Sequence, residues 1–362
     1  MRGGTAFASA WLYRQDETMK IRVAHSGKQA AAVTLKDVAA AAGVDVSTAS
    51  RVLNDNVISI RPETRQRILD TAVRLRYVPN ASARALKLRR TGTVGMLLPD
   101  FGNPVYASIV RGAMAKAEEL GYVMLMAEIG NEEGGGAIYQ RLVSEGRIDG
   151  LVVAATRESG SLAAELRDAR VPHVFANRRA AHAPSVTVSD DAGAAVAAAA
   201  LAEAGHTRLG VLSGPPDIDT AQRRRRGFAA ACAELGLGRP VVEVGPHSAP
   251  GGYEAAKQLL TRQRIPTGIF AANLLMGVGA LAALREAGLD VPGDVSMIAY
   301  NDGEIAEYTA PALTTVRMPL AEMGARAVEV LDAILLGQPA DDVVVATLPE
   351  LIVRKSVGSP PH

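Results

Sequence analysis

Arginines and carboxamides, not nucleophiles or metal ligands, are the residues in this sequence placed to do chemistry. In the stretch VDVSTASRVLN, Val46, Ser47, Ser50 and Arg51 fall on one side of a helix. A guanidinium there can bond a guanine edge bidentately or hold a phosphate, and the serines can reach base edges or backbone. Further on, Tyr106 ends the loop PDFGNPVY after the apolar run VGMLL, Asn177 follows HVFA, Asn273 follows GIFA and Asn301 follows VSMIAY. Positions just past strand C-termini are where open α/β sheets bind ligands. Arg224 lies in RRRRGF, which pattern alone reads as a solvated helix face.

Enzyme signatures are missing. The sequence has no Walker P-loop, no GxGxxG after a strand, no HExxH and no GxSxG. Gly134, Gly135 and Gly136 follow the polar stretch 131–133 and suit a turn better than a phosphate cradle. The 6 histidines are dispersed, and the 1 cysteine, Cys232, builds neither a thiolate metal cluster nor an internal disulfide. Neither catalytic nor metal-ligating residues are expected, no cofactor is implied, and the cysteine usage fits the cytoplasm.

The elements that position these residues can be read in turn. Thr34 caps a first helix with Asp37 as its capping-box partner, and Leu35, Val38, Ala39 and Ala42 recur at helical spacing. Gly43 supplies a left-handed stop, and Asp45 caps a second helix, Ser47–Leu53, whose Ala49, Val52 and Leu53 face the first. Two short helices around a glycine turn form the unit that lays its second helix in the major groove. A third helix starts near Pro62 and ends before Pro79, and Asn80 caps a further short one, ASARALK.

From Thr93 onward, short apolar runs alternate with amphipathic helices. Strands are expected at 94–98, 123–127, 150–154, 173–176, 208–212, 241–244, 268–271 and 295–300, with helices such as Ile109–Leu120 and Ala192–Ala204 between them. Continuous apolar strands separated by helices indicate buried parallel sheets. Their number exceeds one comfortable sheet, so two doubly wound lobes are expected. With 362 residues, 48% hydrophobic and only 4% aromatic, the cores must be large and aliphatic. No apolar run approaches the roughly 20 residues that span a bilayer.

Charge is divided along the chain. Residues 1–90 hold 16 Lys and Arg against 7 Asp and Glu, whereas residues 91–362 hold 23 against 31. A front of net +9 on a body of net −8 suggests a polyanionic partner for the front alone. The opening MRGGTAFASAWLYRQDE has the basic start of a signal peptide, but Gln15, Asp16 and Glu17 interrupt its apolar stretch. Residues 1–33 are expected to be a disordered extension, or to include an upstream start with Met19 as the true beginning.

Three segments, TLKDVAAAAGVDVSTASRVLN, RPETRQRILDTAVRLRYVPNASARAL and TGTVGMLLPDFGNPVYASIVRGAMAKAEELGY, resemble the lactose/galactose repressor (LacI/GalR) family in order and spacing. The resemblance runs from about Thr34 to Val357. It implies an all-α helix-turn-helix headpiece (34–79), a hinge helix and linker (80–92), and an α/β periplasmic-binding-protein-like body (93–357). Two doubly wound parallel-sheet lobes make up that body: about 93–189 with 317–340, and about 190–316 with 341–357. Residues 358–362 are left as a tail.

Carried over by residue, the resemblance makes Val46, Ser47 and Arg51 the base readers. It makes 80–88 a hinge that enters the minor groove, with Leu86 as a wedge between base pairs and Lys87, Arg89 and Arg90 over phosphates. Thr34, Ser50, Asn54, Tyr77, Asn80 and Ala83 complete the expected DNA-contacting set. In the body, Arg224 matches the family's effector-gripping arginine and His247 a position often aromatic. With Tyr106, Asn177, Asn273 and Asn301 they form the expected effector set.

The chain departs from the family where Leu274, Asn177, Asn301 and Met318 replace residues that are commonly acidic or polar. An Arg224 without compensating carboxylates would favour an anionic effector, such as a sugar acid rather than a neutral sugar. The implied protein is a cytoplasmic, nucleoid-associated, homodimeric repressor on double-stranded operator DNA, switched by a carbohydrate-like effector. The alternative is a periplasmic-type sugar-binding sensor or transport protein without DNA function, which would have no use for residues 34–90.

Overall fold

The computed structural model describes residues 33–53, 60–77, 90–129, 141–154, 162–180 and 183–361. The extension, the expected hinge helix at 80–88, and with them Asn54, Asn80, Ala83, Leu86, Lys87 and Arg89, lie outside the described residues. The chain divides into two compact units after Asn80.

The first unit holds α1 (Leu35–Ala42), α2 (Val46–Leu53) and α3 (Pro62–Arg74). Its ends are set by local chemistry. Thr34 Oγ1 accepts from the Asp37 amide at 3.4 Å, while Asp37 Oδ2 accepts from the Thr34 amide at 2.8 Å. Two otherwise orphaned donors are thereby satisfied reciprocally. The Thr34 amide holds the Asp37 carboxyl below the usual carboxylate range, so the cap is ionised. Gly43, at φ 62, closes α1 in the left-handed conformation that a glycine enters without strain. Asp45 Oδ1 accepts from the Ser47 amide at 2.7 Å, which starts α2 at Val46, one residue before the expected position. Ala39, Ala42, Ala49, Val52 and Ile68 then bury one small three-helix core.

In the second unit two six-stranded sheets are built in the same order. The first comprises β1 (Thr93–Leu98), β2 (Val123–Glu128), β3 (Gly150–Val153), β4 (His173–Ala176), β5 (Ser185–Thr187) and β11 (Val343–Val344). It runs β11-β5-β4-β3-β1-β2, with all its pairs parallel. The second comprises β6 (Leu209–Ser213), β7 (Val241–Val244), β8 (Gly268–Ala271), β9 (Ser296–Tyr300), β10 (Thr314–Arg317) and β12 (Glu350–Ile352). It runs β12-β10-β9-β8-β6-β7, and only β10 with β12 is antiparallel among its pairs. In each sheet the strand order reverses beside the first strand, which leaves a crevice at the C-terminal ends of β1 and β3, and of β6 and β8.

Helices α4 (Pro104–Glu119), α5 (Leu162–Asp168) and α10 (Leu320–Leu335) cover the first sheet. The second carries α6 (Asp190–Glu203), α7 (Asp219–Glu234), α8 (Ala249–Leu260) and α9 (Leu274–Glu286). The chain therefore crosses between lobes at 188–190, at 318–320 and after Val345. The last crossing corrects the expected lobe boundary at 341, because β11 pairs with β5 in the first sheet. The expected free tail also begins further on: the Gly358 amide donates to Ser296 Oγ at 2.9 Å and its carbonyl lies 3.0 Å from His206 Nε2.

The eight strands expected from apolar runs are present with ends shifted by no more than a residue or so. Strands β5, β10, β11 and β12 were not expected; they are short or carry polar residues, as in SVT and TTVR. Helix α10 packs on α4 main chain to main chain, which Gly112 of α4 permits because a Cβ there would collide with the Ala321 backbone. Among the described residues no helix is long and apolar enough to cross a membrane.

Thr34→Ala removes one half of the capping box and should cost the headpiece about 1 kcal/mol. Amide hydrogen exchange over 35–42 in the full chain reads this directly: α1 exchange should quicken roughly fivefold, with body amides unchanged.

Candidate DNA interface and effector cleft

On the headpiece, packing of Ala49 and Val52 inward turns Val46, Ser47 and Arg51 outward, with Ser50 half-buried at the edge. Val46 is exposed, an apolar group without a packing reason to be there. Arg61, Arg65, Arg67, Arg74 and Arg76, on or beside α3, add further cations to the same small unit. Thr34 is exposed but its hydroxyl is engaged by Asp37 at 2.7 Å, and Tyr77 is half-buried. The recognition-helix residues are therefore brought together on one surface, as the periodicity requires.

In the body, the expected effector residues gather around one crevice. Asn177 and Asn301 stand at equivalent places, one residue past β4 and β9, and both are left-handed at φ 70 and 68. Asparagine is among the few residues that tolerate this conformation. It turns their side chains away from the strand direction. Both are buried, at 4% and 0% exposure, and Asn177 Oδ1, Asn301 Oδ1 and Asn301 Nδ2 have no protein partner. Asn273 plays a different part, since its Oδ1 accepts from the Leu275 amide at 2.9 Å and caps α9. Tyr106 is nearly buried in the first-lobe core, with its hydroxyl 3.4 Å from Arg178 Nη2.

Arg224 is buried and bound on three sides. Its Nε donates to Asp190 Oδ1 at 2.7 Å, its Nη1 donates to the Ala272 carbonyl at 2.9 Å, and its guanidinium lies 4.1 Å over the Tyr300 ring. Burial opposes the charge, but the Asp190 carboxylate more than offsets it and keeps the group cationic. This corrects the premise that Arg224 lacks a compensating carboxylate. Asp190, wholly buried at the start of α6, supplies one. The same carboxylate pairs with Arg223 Nη1 at 2.7 Å.

His247 packs its ring against Gly214 so closely that a Cβ there would collide with it. Burial first, then the fields of Arg224 and Arg178, push its pKa down to about 3. The ring is therefore neutral at any physiological pH, and its buried Nε2 has no protein partner. A neutral imidazole can donate through one nitrogen and accept through the other, which suits a hydroxyl.

Asp190, Arg178, Arg223 and Tyr300 belong to this constellation and were not anticipated. Asp190 follows the unrecognised strand β5, so its place at a lobe crossing was hidden. Arg178 has one signal in the sequence, its position beside Asn177 at the end of a strand. Among the described residues no group of three or more His, Cys, Asp or Glu could hold a metal ion. What converges here is a set of hydrogen-bonding groups fit to bind a polar small molecule.

Comparison with known proteins agrees with this geometry. Residues 34–80 match the family "Bacterial regulatory proteins, lacI family", and residues 198–357 match the "Periplasmic binding protein-like domain". The ribose operon repressor of Escherichia coli (strain K12) is 36% identical over 82% of this chain and 92% of its own length. The HTH-type transcriptional repressor PurR of Photobacterium profundum is 32% identical over 90% of this chain and 98% of its own. Among solved structures, the lac repressor dimer bound to operator and the anti-inducer ONPF superposes with a TM-score of 0.77 at 25% identity, covering 91% of this chain and 100% of that one. The transcriptional regulator CelR–cellobiose complex gives 0.69 at 30% identity, covering 90% and 99%. The chain thus belongs to the LacI family of bacterial regulatory proteins, and it is a DNA-binding transcription regulator rather than an enzyme.

Proposed function

We propose that this regulator is a homodimeric repressor, working at the nucleoid in the cytoplasm, whose operator affinity is set by a carbohydrate-like ligand held between the body lobes. The observation that carries the ligand reading is the pair Asn177 and Asn301. Buried amides without partners are costly. These two stand at matching strand ends of opposite lobes, where a molecule bearing several hydroxyls can both donate to and accept from them. Names among the relatives point the same way, since one is a ribose operon repressor and one neighbour holds cellobiose. Arg224 is already paired to Asp190 and so does not itself call for an acidic group on the ligand, which favours a neutral sugar.

On DNA, Val46, Ser47, Ser50 and Arg51 read the major groove. An exposed valine favours a thymine methyl, and Arg51 favours guanine. Residues 80–88 serve as the hinge, with Leu86 as the wedge between central base pairs. A single headpiece makes few contacts, so two must act across a pseudopalindrome. The first lobe offers the dimer face. Strand β2 is a sheet edge, and Val123, Leu125 and Met126 on it are exposed at 63%, 38% and 41%, beside exposed Met114 and Leu120. An uncovered apolar edge of this kind calls for a partner.

Calorimetry of the full chain against ribose, cellobiose and gluconate tests the ligand class. Saturable heat is expected with a neutral sugar; heat with gluconate alone would overturn the neutral-sugar reading. Two substitutions separate the sites. Asn301→Gly, which keeps the left-handed backbone, should weaken the sugar by about tenfold to a hundredfold and leave operator affinity without sugar intact. Arg51→Ala should do the reverse, costing roughly 1–3 kcal/mol of operator discrimination with sugar affinity unchanged. Loss of both activities in both variants would contradict the division of labour.

A further inference from the structure

Of the four arginines at 223–226, the family pattern uses Arg224 alone, yet Arg223 is as deeply buried and reaches back to the first lobe. Its Nη2 donates to the Asn177 carbonyl at 2.9 Å and its Nη1 donates to the Val188 carbonyl at 3.0 Å. The first belongs to the end of β4 and the second to the segment where the chain crosses between lobes. Asp219, one turn earlier on α7, accepts from Arg223 Nε at 3.1 Å and from the Arg179 amide at 3.0 Å. Arg179, like Asn177, belongs to the first lobe. Two charged side chains of α7 therefore grip three main-chain groups in or leading from the other lobe.

We propose that Arg223 and Asp219 form a clasp that holds the two lobes closed, independently of any bound ligand. Main-chain carbonyls and amides at a strand end are fixed acceptors and donors, so both clasp residues lose partners together when the lobes part. Charge-assisted bonds of this kind are among the stronger hydrogen bonds available. On the other flank of the cleft Gly303 faces Pro104, where an added Cβ would sit 3.9 Å from the proline ring. Neither residue offers a polar side chain there, whereas the clasp supplies directional bonds between the lobes.

Asp190 ties the clasp to the ligand site. It accepts from Arg224 on one oxygen and pairs with Arg223 on the other, at 2.7 Å each. A ligand that draws on Arg224 therefore acts on the carboxylate that also faces Arg223. This second half of the proposal rests on the ligand reading above, whereas the clasp itself does not.

Spin labels across the cleft test it without sugar or DNA. Phe101→Cys and Glu304→Cys place exposed labelling sites on the two rims. The native Cys232 is buried, and burial pushes its thiol up to about 11, so it stays unlabelled. Labelled chains are mixed with excess unlabelled protein so that distances report one protomer, and pulsed dipolar spectroscopy reads the distribution. The parent should give a predominantly short distance with a minor longer component. Asp219→Ala should raise the longer-distance population about tenfold or more, the effect of losing one charge-assisted bond. Arg223→Met should do the same if it folds, and since it strips a buried cation, Asp219→Ala at a partly accessible carboxylate carries the test alone. Arg226→Gln removes an exposed pair with Asp191 inside the second lobe and serves as the control. If Asp219→Ala gives the same distribution as Arg226→Gln, there is no clasp. That result would leave the sugar reading untouched, just as failure of every sugar to bind would leave the clasp.

Discussion

An ionised carboxylate can be buried only where cations and hydrogen bonds replace the water it has lost. Asp190 is buried completely, and Arg223 and Arg224 are what replace that water. Each of the two arginines is in turn buried: Arg224 has Asp190 as its carboxylate, and Arg223 shares Asp190 while also pairing with Asp219. The constraint reaches further than three residues. It requires the start of α6 and the first turns of α7 to lie side by side, which Gly227 permits by leaving no Cβ against the Asp191 backbone. It also fixes where each guanidinium points: Arg224 over Tyr300 into the cleft, and Arg223 back across it.

Two lobes of the same strand order are joined at three crossings and share a cleft, so a hinge rotation disturbs few contacts within either sheet. On the proposed reading, the amides left without partners at the strand ends make the closed cleft more favourable once a hydroxylated ligand fills it. A ligand can shift such an equilibrium only by its differential affinity for the two states, and typical couplings are about 1–3 kcal/mol. That is enough to change operator occupancy without any contact between ligand and DNA.

What could be read from the sequence was local. Thr34 with Asp37, Gly43 and Asp45 are capping signals within three residues of their partners, and the structure places each as its chemistry demands. The main strands announce themselves as continuous apolar runs. Strand β5, by contrast, is SVT, and β10 is TTVR; short, partly polar strands at lobe crossings carry no pattern. The ligand site is legible as a set of strand-end residues but not as an arrangement. Asn273 proves to cap a helix, and Arg224 looks uncompensated in the sequence because its partner lies 34 residues away in a segment without signal. Pairing of charges across such separations is set by topology, so it becomes visible only once the lobes are assembled.

Two properties are proposed for this regulator: it reads a two-fold DNA site, and the cleft ligand changes its grip. Selection of bound sequences from a random duplex pool by the full-length protein, repeated with and without ribose and cellobiose, tests both at once. The account predicts enrichment of a pseudopalindrome with a flexible central pyrimidine–purine step, and a change in its recovery when the bound sugar is present. Recovery of no sequence above background under any of these conditions would contradict it.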